Sequence, residues 1–471
     1  MSGLFASINS TVKALSAHSR AIEITGKNLA NVNNPDYARQ RVIFGDRGTV
    51  VTPQGAESLG LEALAVEQVR DSLLDRQVMR EISLKSSFEA EQSGYQRAQA
   101  GLGQSIDRSS SASDPTAAGG SGLAGAIDGF FNAFQSFAAR PTDDGERQIL
   151  LQKAGILTDR IQLTDTRLAQ VQSDLNAEIG TDVDDINGLL KSIAELNGQI
   201  GRFEVNAPGT AVDLRDQRQA RLEALAAKLP VDLRDTAGGQ VQVVAKDGLG
   251  ADVVLVDLAT VQGTVAFTGT QLTAGVPATA LALKGGSIKG ALDARDGAVQ
   301  TLRDDLDQLA KQFVTSINAA YNPTGATGDF FDATGTTAAT INLVGTLTAA
   351  TLKASDGGAA GDNTIALAIA QLANTTFSTA GGDQIDGSFS GFFGKTVSKF
   401  GQSLAGANSR VSDQTNIERL VRSQRDAVSG VSLDEEMADL MKYQRSFQAS
   451  SRVFTVLDEL LDGVVNRLGV G

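Results

Sequence analysis

The 471-residue chain contains no cysteine, no tryptophan and a single histidine, and only 5% of it is aromatic. Lack of cysteine excludes disulfides, thiolate zinc sites and cysteine nucleophiles, and it leaves the compartment open. One histidine and few aromatic rings are thin material for a general base or a ligand pocket, so no catalytic residue, metal or cofactor is expected. Positive charge is also short: 41 Lys and Arg face 55 Asp and Glu, a net charge of −14 and a pI near 4.7. Phosphate recognition needs clustered basic side chains, so no nucleic-acid partner is expected. No apolar run approaches the ~18 residues of a membrane-crossing helix, and no membrane partner is expected either. The opening MSGLFASINSTVKALSAHSR has no basic stretch leading into a continuous apolar one, so any export is expected to proceed without a cleaved signal peptide.

Heptads stand at the two ends. Near the start, Ile8, Leu15, Ile22 and Leu29 are seven apart, and Leu4, Thr11, His18, Thr25 and Val32 form a second seam, the two sets alternating by four and three. This helix should stop near NVNNPDY, Asn31 to Tyr37, because Pro35 disfavours helix at Asn34. Near the other end, Leu433, Leu440, Phe447, Phe454, Leu461 and Leu468 recur every seven residues. Ser432 reads as its N-cap, Glu435 completes a capping box, and Asp434 and Glu436 sit in the positive first turn. Two such stripes cover themselves by packing on each other or on other copies of the chain. Residues 1–36 with 430–471 are therefore expected to form a coiled-coil terminal domain.

Between them the period is helical, then not. Ile179, Ile186, Ile193 and Ile200 form one row of a long helix from about Gln148 to Phe203; NAPG at Asn206–Gly209 turns the chain, and a helix with Leu214, Leu222, Leu225 and Leu229 returns. Gln240 to Phe267 is β-branched and broken by glycine, so it reads as strands. Leu292, Val299, Leu306 and Phe313 mark a further helix, and Phe393 to Val428 another. The predicted fold is mainly α with inserted β-rich segments. Paired terminal helices are joined to a helical-bundle middle domain, 37–230 with 286–321 and 388–429. A β-rich insert, 231–285, and a Gly/Thr-rich variable insert, 322–387, complete it. The second insert is expected to face solvent, with strands and one short helix around Asn363–Ala373.

No active site emerges. Asp434, Glu435 and Glu436 are adjacent in one helical turn, whereas a catalytic carboxyl pair faces across a site; His18 has no second histidine to share a metal. The Ser-rich Ser105–Gly122 reads as a loop, and the Gly285–Gly286 and Gly357–Gly358 pairs lack the context of a phosphate-binding loop.

Two segments resemble a known family. Asn28, Asn31, Pro35, Tyr37, Arg39 and Gln40 in NLANVNNPDYARQRV are similar to the N-terminal motif of bacterial flagellar axial proteins, the rod, hook and hook-associated proteins. Ser429, Gly430, Val431, Leu433, Asp434, Glu435, Glu436, Gln444, Phe447, Gln448, Ala449 and Arg452 fall on the C-terminal motif. Asn34 and Asp36 depart from the Thr and Gly common there. SGVSLDEE, Leu214–Ala226 and Gly286–Ala310 favour the junction between hook and filament, its first protein over its second. The resemblance implies a self-assembling tubular adaptor, exported by the flagellar type III route. Its partners would be itself, hook protein, the second junction protein and a cytosolic export chaperone. The terminal segments are expected to be largely disordered before assembly. A secreted adhesin acting through the variable insert is the alternative from another class.

Overall fold

The computed structural model describes residues 2–46, 48–52, 55–58, 60–103, 122–325, 328–359 and 361–463. Leu468, Val464 and the Ser-rich stretch up to residue 121 lie outside them. In chain order the elements are α1 (Ser2–Ala30), β1 (Gln40–Asp46), β2 (Thr49–Thr52), β3 (Gly55–Ser58), β4 (Leu61–Gln68), α2 (Ser72–Leu102), α3 (Leu123–Ala139), α4 (Asp144–Phe203) and α5 (Val212–Lys228). Short strands follow: β5 (Asp232–Asp235), β6 (Val241–Lys246), β7 (Asp252–Asp257), β8 (Thr260–Val261), β9 (Ala266–Phe267), β10 (Leu272–Ala274) and β11 (Thr279–Ala280). The chain then returns to helix with α6 (Ser287–Asp293), a π-helical turn at Ala294–Val299, α7 (Gln300–Tyr321), α8 (Thr364–Gln371), α9 (Phe389–Ser429) and α10 (Leu433–Asp462). The protein is mainly α with small antiparallel sheets.

Two compact units are present: Met1–Lys85 with Val183–Gly286 and Gln414–Gly471, and Ser86–Asp182 with Ser287–Asp413. In the first, the sheets are β1–β4, β2–β3, the meander β5-β6-β7-β8 and β11-β10-β9. The Ile186, Ile193 and Ile200 row of α4 is fully buried, as its spacing requires, whereas Phe203 at the helix end is exposed. Two polar residues of α4 stitch the strands on. Asn197, wholly buried, donates from Nδ2 to the carbonyls of Val241 (2.7 Å) and Leu258 (2.8 Å), and Asn187 exchanges two 2.9 Å bonds with the backbone of Val265. Each amide replaces a missing strand partner, so the helix acts as a sheet edge.

Strands β1 to β4 correct the helical expectation for the beginning of 37–230. β1 pairs antiparallel with β4 from Gln40 opposite Gln68 to Asp46 opposite Leu61, with a register shift between Ile43 and Phe44. That shift interrupts the two-residue alternation, and α1 packed on the hairpin decides what its side chains meet. Gly60 immediately precedes β4 at φ +91°, so close to α1 that a Cβ would lie 2.2 Å from Ser10 Oγ.

The second unit has an aromatic core. Phe130, Phe131 and Phe134 of α3 meet Phe313 of α7, Phe330, Phe331 and Phe389, with Phe313 stacked on Phe389 at 4.1 Å between ring centroids. This corrects the reading of residues 322–387 as solvent-facing. Phe330, Phe331, Ile341, Ile369 and Ile385 are completely buried, and Asn318 of α7 receives the amides of Phe330 (3.1 Å) and Phe331 (2.8 Å) on its Oδ1. The expected short helix is α8, but the expected strands reduce, among the described residues, to isolated bridges Phe331–Leu343 and Phe377–Gly387. Frequent Gly and Thr disguised a segment whose phenylalanines and isoleucines are all core, although Leu367 stays exposed.

Candidate assembly site at the paired termini

Both ends of the chain meet in the first unit, where α1 packs on α10 and on the β1–β4 hairpin. The pairing is anchored by polar groups rather than by leucines. Asn28, 1% exposed near the end of α1, donates to the Gln40 carbonyl (2.8 Å) and to Glu436 Oε2 of α10 (3.0 Å). Its Oδ1 accepts from the Tyr37 hydroxyl (2.7 Å) and the Gln40 amide (3.1 Å), so all its capacity is directed. Arg39 reaches the same carboxylate through Nε (2.7 Å) and Glu435 through Nη1 (2.8 Å), while its amide donates to the Ser429 carbonyl (2.9 Å). Burial works against the Arg39 charge, yet Glu436 and then Glu435 outweigh it and raise its pKa. Burial, then Asp216, Asp213 and Glu436, raises Tyr37 as well and keeps its phenol protonated as a donor.

Local sequence explains how these groups are aimed. Asn31 closes α1 by bonding the Lys27 carbonyl (2.9 Å), and Pro35 lies in the turns that reverse the chain toward Arg39. Gly430 ends α9 so tightly that a Cβ would lie 2.4 Å from the Asp426 carbonyl oxygen. Ser432 then caps α10 by accepting from the Glu435 amide at 3.5 Å. Only half of the expected capping box forms, because the Glu435 carboxylate goes to Arg39. Reading Glu436 as a first-turn charge alone also falls short; it is 2% exposed and ties the two motifs together.

A second layer of charge supports this clasp from α5, a contribution the sequence reading missed. Asp213 accepts from Lys27 (2.5 and 2.7 Å) and Gln40 (3.1 Å), and Asp216 from Arg70 (2.7 Å), which also holds Asp75 (3.1 Å). Burial pushes Asp216 up to about 6 despite the Arg70 bond. Alternating Arg and Asp in LRDQRQ, with Arg70 far away in sequence, gave no pairing signal.

Along the helices, Leu4, Ile8, Leu15, Ile22 and Leu29 are half-buried, while Ala17, Ala21, Ile24 and Thr25 beside them are buried. The small residues let α1 sit close to its neighbours. On α10 the covered row runs through Glu436, Leu440, Tyr443, Ser446, Ser450, Phe454, Leu457 and Leu461. Leu433, 54% exposed, and Phe447, 36% exposed, do not join it within the chain. An α-helix drifts off a strict seven-residue repeat, so six heptad positions cannot all face one straight partner. Phe44 of β1 fills the space between, 6.2 Å from the His18 ring and 6.0 Å from that of Tyr443.

The outward side of α10 carries a second apolar row. Leu433, Met437, Met441, Ala449 and Val453 follow an i, i+4 line broken at Arg445, and Val456 and Leu460 extend it; all are exposed. The motif residues Gln444, Gln448 and Arg452 run parallel on the same open side. The C-terminal motif thus has two parts, one engaged with the N-terminal motif and one bare.

Known proteins place this arrangement. A profile described as the flagellar hook-associated protein FlgK helical domain matches residues 112–331, and one described as the flagellar basal body rod FlgEFG protein C-terminal matches residues 422–468, which span the end of α9 and α10. Flagellar hook-associated protein 1 of Bacillus subtilis (strain 168) is 26% identical over 527 aligned residues, covering 100% of both chains. The chain resembles the flagellar hook-associated protein 1 family along the whole of its aligned length. Members from Salmonella typhimurium (strain LT2) and Escherichia coli (strain K12) are 24% and 23% identical, each covering 98% of this chain and 99% of its own. The solved flagellar hook junction protein FlgK from Burkholderia pseudomallei superposes with a TM-score of 0.44 at 22% identity, over 55% of this chain and 46% of that one.

Proposed function

We propose that this chain is a structural adaptor of the bacterial flagellum, polymerising at the junction between hook and filament through its terminal helices. Similarity to the hook-associated protein 1 family over the whole chain supports the place; the bare row on α10, beside a seam already closed on α1, supports the mode. Exposed Leu433, Met437, Met441, Val453, Val456 and Leu460 form an apolar line that a lone chain leaves in water, and neighbouring copies would bury it. Leu4, Ile8, Leu15, Ile22, Leu29, Leu440, Phe454 and Leu461 hold the helices in register for that contact. The role is mechanical, not enzymatic. Export through the flagellar type III route, a cytosolic chaperone on the C-terminal helix, and contacts with hook protein and the second junction protein belong to the same reading, with the assembled protein outside the cell.

Complementation of a strain lacking the protein tests this. Met441→Asp should leave the α1–α10 pairing intact by hydrogen exchange and abolish both incorporation at the hook tip and swimming. Normal incorporation of this variant would remove the bare row from the interface.

A further inference from the structure

A cavity of about 350 Å³ opens beside the clasp in the first unit, between the ends of β4, α2 and α5 and the strands β5 and β6. Four arginines line it: Arg70, Arg76, Arg215 and Arg218. Three have acids of their own. Arg70 holds Asp75 and Asp216, Arg76 holds Asp235 at 2.6 Å, and Arg215 grips Glu204 at 2.7 and 2.8 Å. Arg218 does not. It is 7% exposed, and its only partners among the described residues are neutral: Nη1 donates to Asn197 Oδ1 (2.9 Å) and to the Gly239 carbonyl (2.8 Å). Its Nε and Nη2 make no hydrogen bond among the described residues, and Glu204 and Asp235 act on it only through space, without a bond. Burial, then the neighbouring Arg215, pulls the pKa of Arg218 down to about 10. On the same cavity wall, the Nε of Arg70 is buried and also lacks an acceptor.

A buried guanidinium without a carboxylate is costly, and truncating it leaves nothing charged behind. Two guanidinium groups with unused N–H donors call for an acceptor-only group, and planar N–H forks suit the oxygens of carboxylates and phosphates. The acids lining the cavity are Glu67, Asp75 and Asp235, each already facing an arginine (Arg41 at 4.0 Å for Glu67). From this geometry we infer that the cavity is an oxyanion site with Arg218 at its floor, taking either a free inorganic anion or the carboxylate of an acidic side chain from another polypeptide. Because Arg218 lies on the helix whose Asp213 and Asp216 brace the clasp, an anion here would also stiffen the support of the paired termini.

Thermal unfolding and phosphorus NMR of the full chain decide the matter, with inorganic phosphate and N-acetylglutamate each compared with chloride at equal ionic strength. Expected are a rise in melting temperature that saturates with phosphate or N-acetylglutamate and phosphate line broadening that N-acetylglutamate competes away. Saturation by phosphate alone assigns the site to a free anion; saturation by both admits an acidic side chain. Arg218→Lys should weaken the apparent affinity at least tenfold, and Arg76→Gln, which changes a cavity-lining charge on an exposed pair, by a smaller factor. Wild-type protein that responds to phosphate and N-acetylglutamate only as it does to chloride overturns the inference, whether or not Arg218→Lys folds. An unchanged affinity in a folded Arg218→Lys overturns it too, assigning the spare donors to water.

Discussion

Single side chains decide where the two ends of this protein meet. Glu436 is 2% exposed and takes bonds from both Arg39 and Asn28, so losing one partner strands a buried charge. Arg39→Ala should therefore destabilise the first unit by about 3–5 kcal/mol, and Glu436→Gln by less, because the amide still accepts from Arg39. Urea unfolding of the full chain measures both. Asp216 acts in the opposite sense. Its folded pKa of about 6 lies above the ordinary 3.8, so the folded state binds the proton first and stability falls as pH rises from about 4 to about 6. Asp75, also raised by burial, works in the same direction, whereas Glu204, Asp213 and Glu418 are lowered and lose their contribution only in more acid solution. The chain should thus melt higher at pH 5 than at pH 7.5. Asp216→Asn should flatten that difference by roughly 1–3 kcal/mol.

At the scale of elements, α10 has two apolar sides with different tasks, and substitutions can separate them. Phe454 lies in the covered row, so Phe454→Asp should free α10 from α1, seen as faster amide exchange over residues 440–462, and stop assembly. Phe447 is 36% exposed at the edge of that row, and Phe447→Asp should stop assembly while α1 remains paired. If both variants assemble normally, the terminal helices are not the contact. On α1 the expected positions Leu4, Ile8, Leu15, Ile22 and Leu29 are half-buried, and the fully buried residues are their neighbours Ala17, Ala21, Ile24 and Thr25. On α10 the heptad count ran true at Leu440, Phe454 and Leu461 and drifted off at Leu433 and Phe447. The hairpin β1–β4 that shares α1 with α10 left no clear periodic trace, since its bulge breaks the alternation and its partner is a helix far from it in register.

Across the whole molecule, stability is unevenly distributed. Among the described residues the second unit buries nine phenylalanines and two tyrosines in ring-to-ring contact, whereas Glu436 is the only buried residue of α10 among those described. Phe313→Ala should cost about 3–5 kcal/mol through the cavity it leaves. By contrast, a 30-residue helix held along one half-covered stripe gains little against its chain entropy. In dilute monomer, amides of residues 440–462 should exchange orders of magnitude faster than those in the middle of α4, and protection should appear on polymerisation. Equal protection of both before assembly would contradict folding of this helix on the growing tip. The variable insert belongs to this scale too: excising residues 322–384 removes Phe330 and Phe331 from the aromatic core, so an adhesin role is better tested by changing its exposed residues.

The sequence alone determined most of the helices, the β-rich insert and the family resemblance, because these depend on period, composition and motif, which are local. Tertiary structure decided which carboxylates cap and which clasp, which apolar row of α10 is covered, and that a Gly/Thr-rich stretch supplies core phenylalanines. Each of those outcomes depends on a partner hundreds of residues away, Glu436 on Asn28 and Arg39 above all, and no spacing within a helix encodes who stands opposite it.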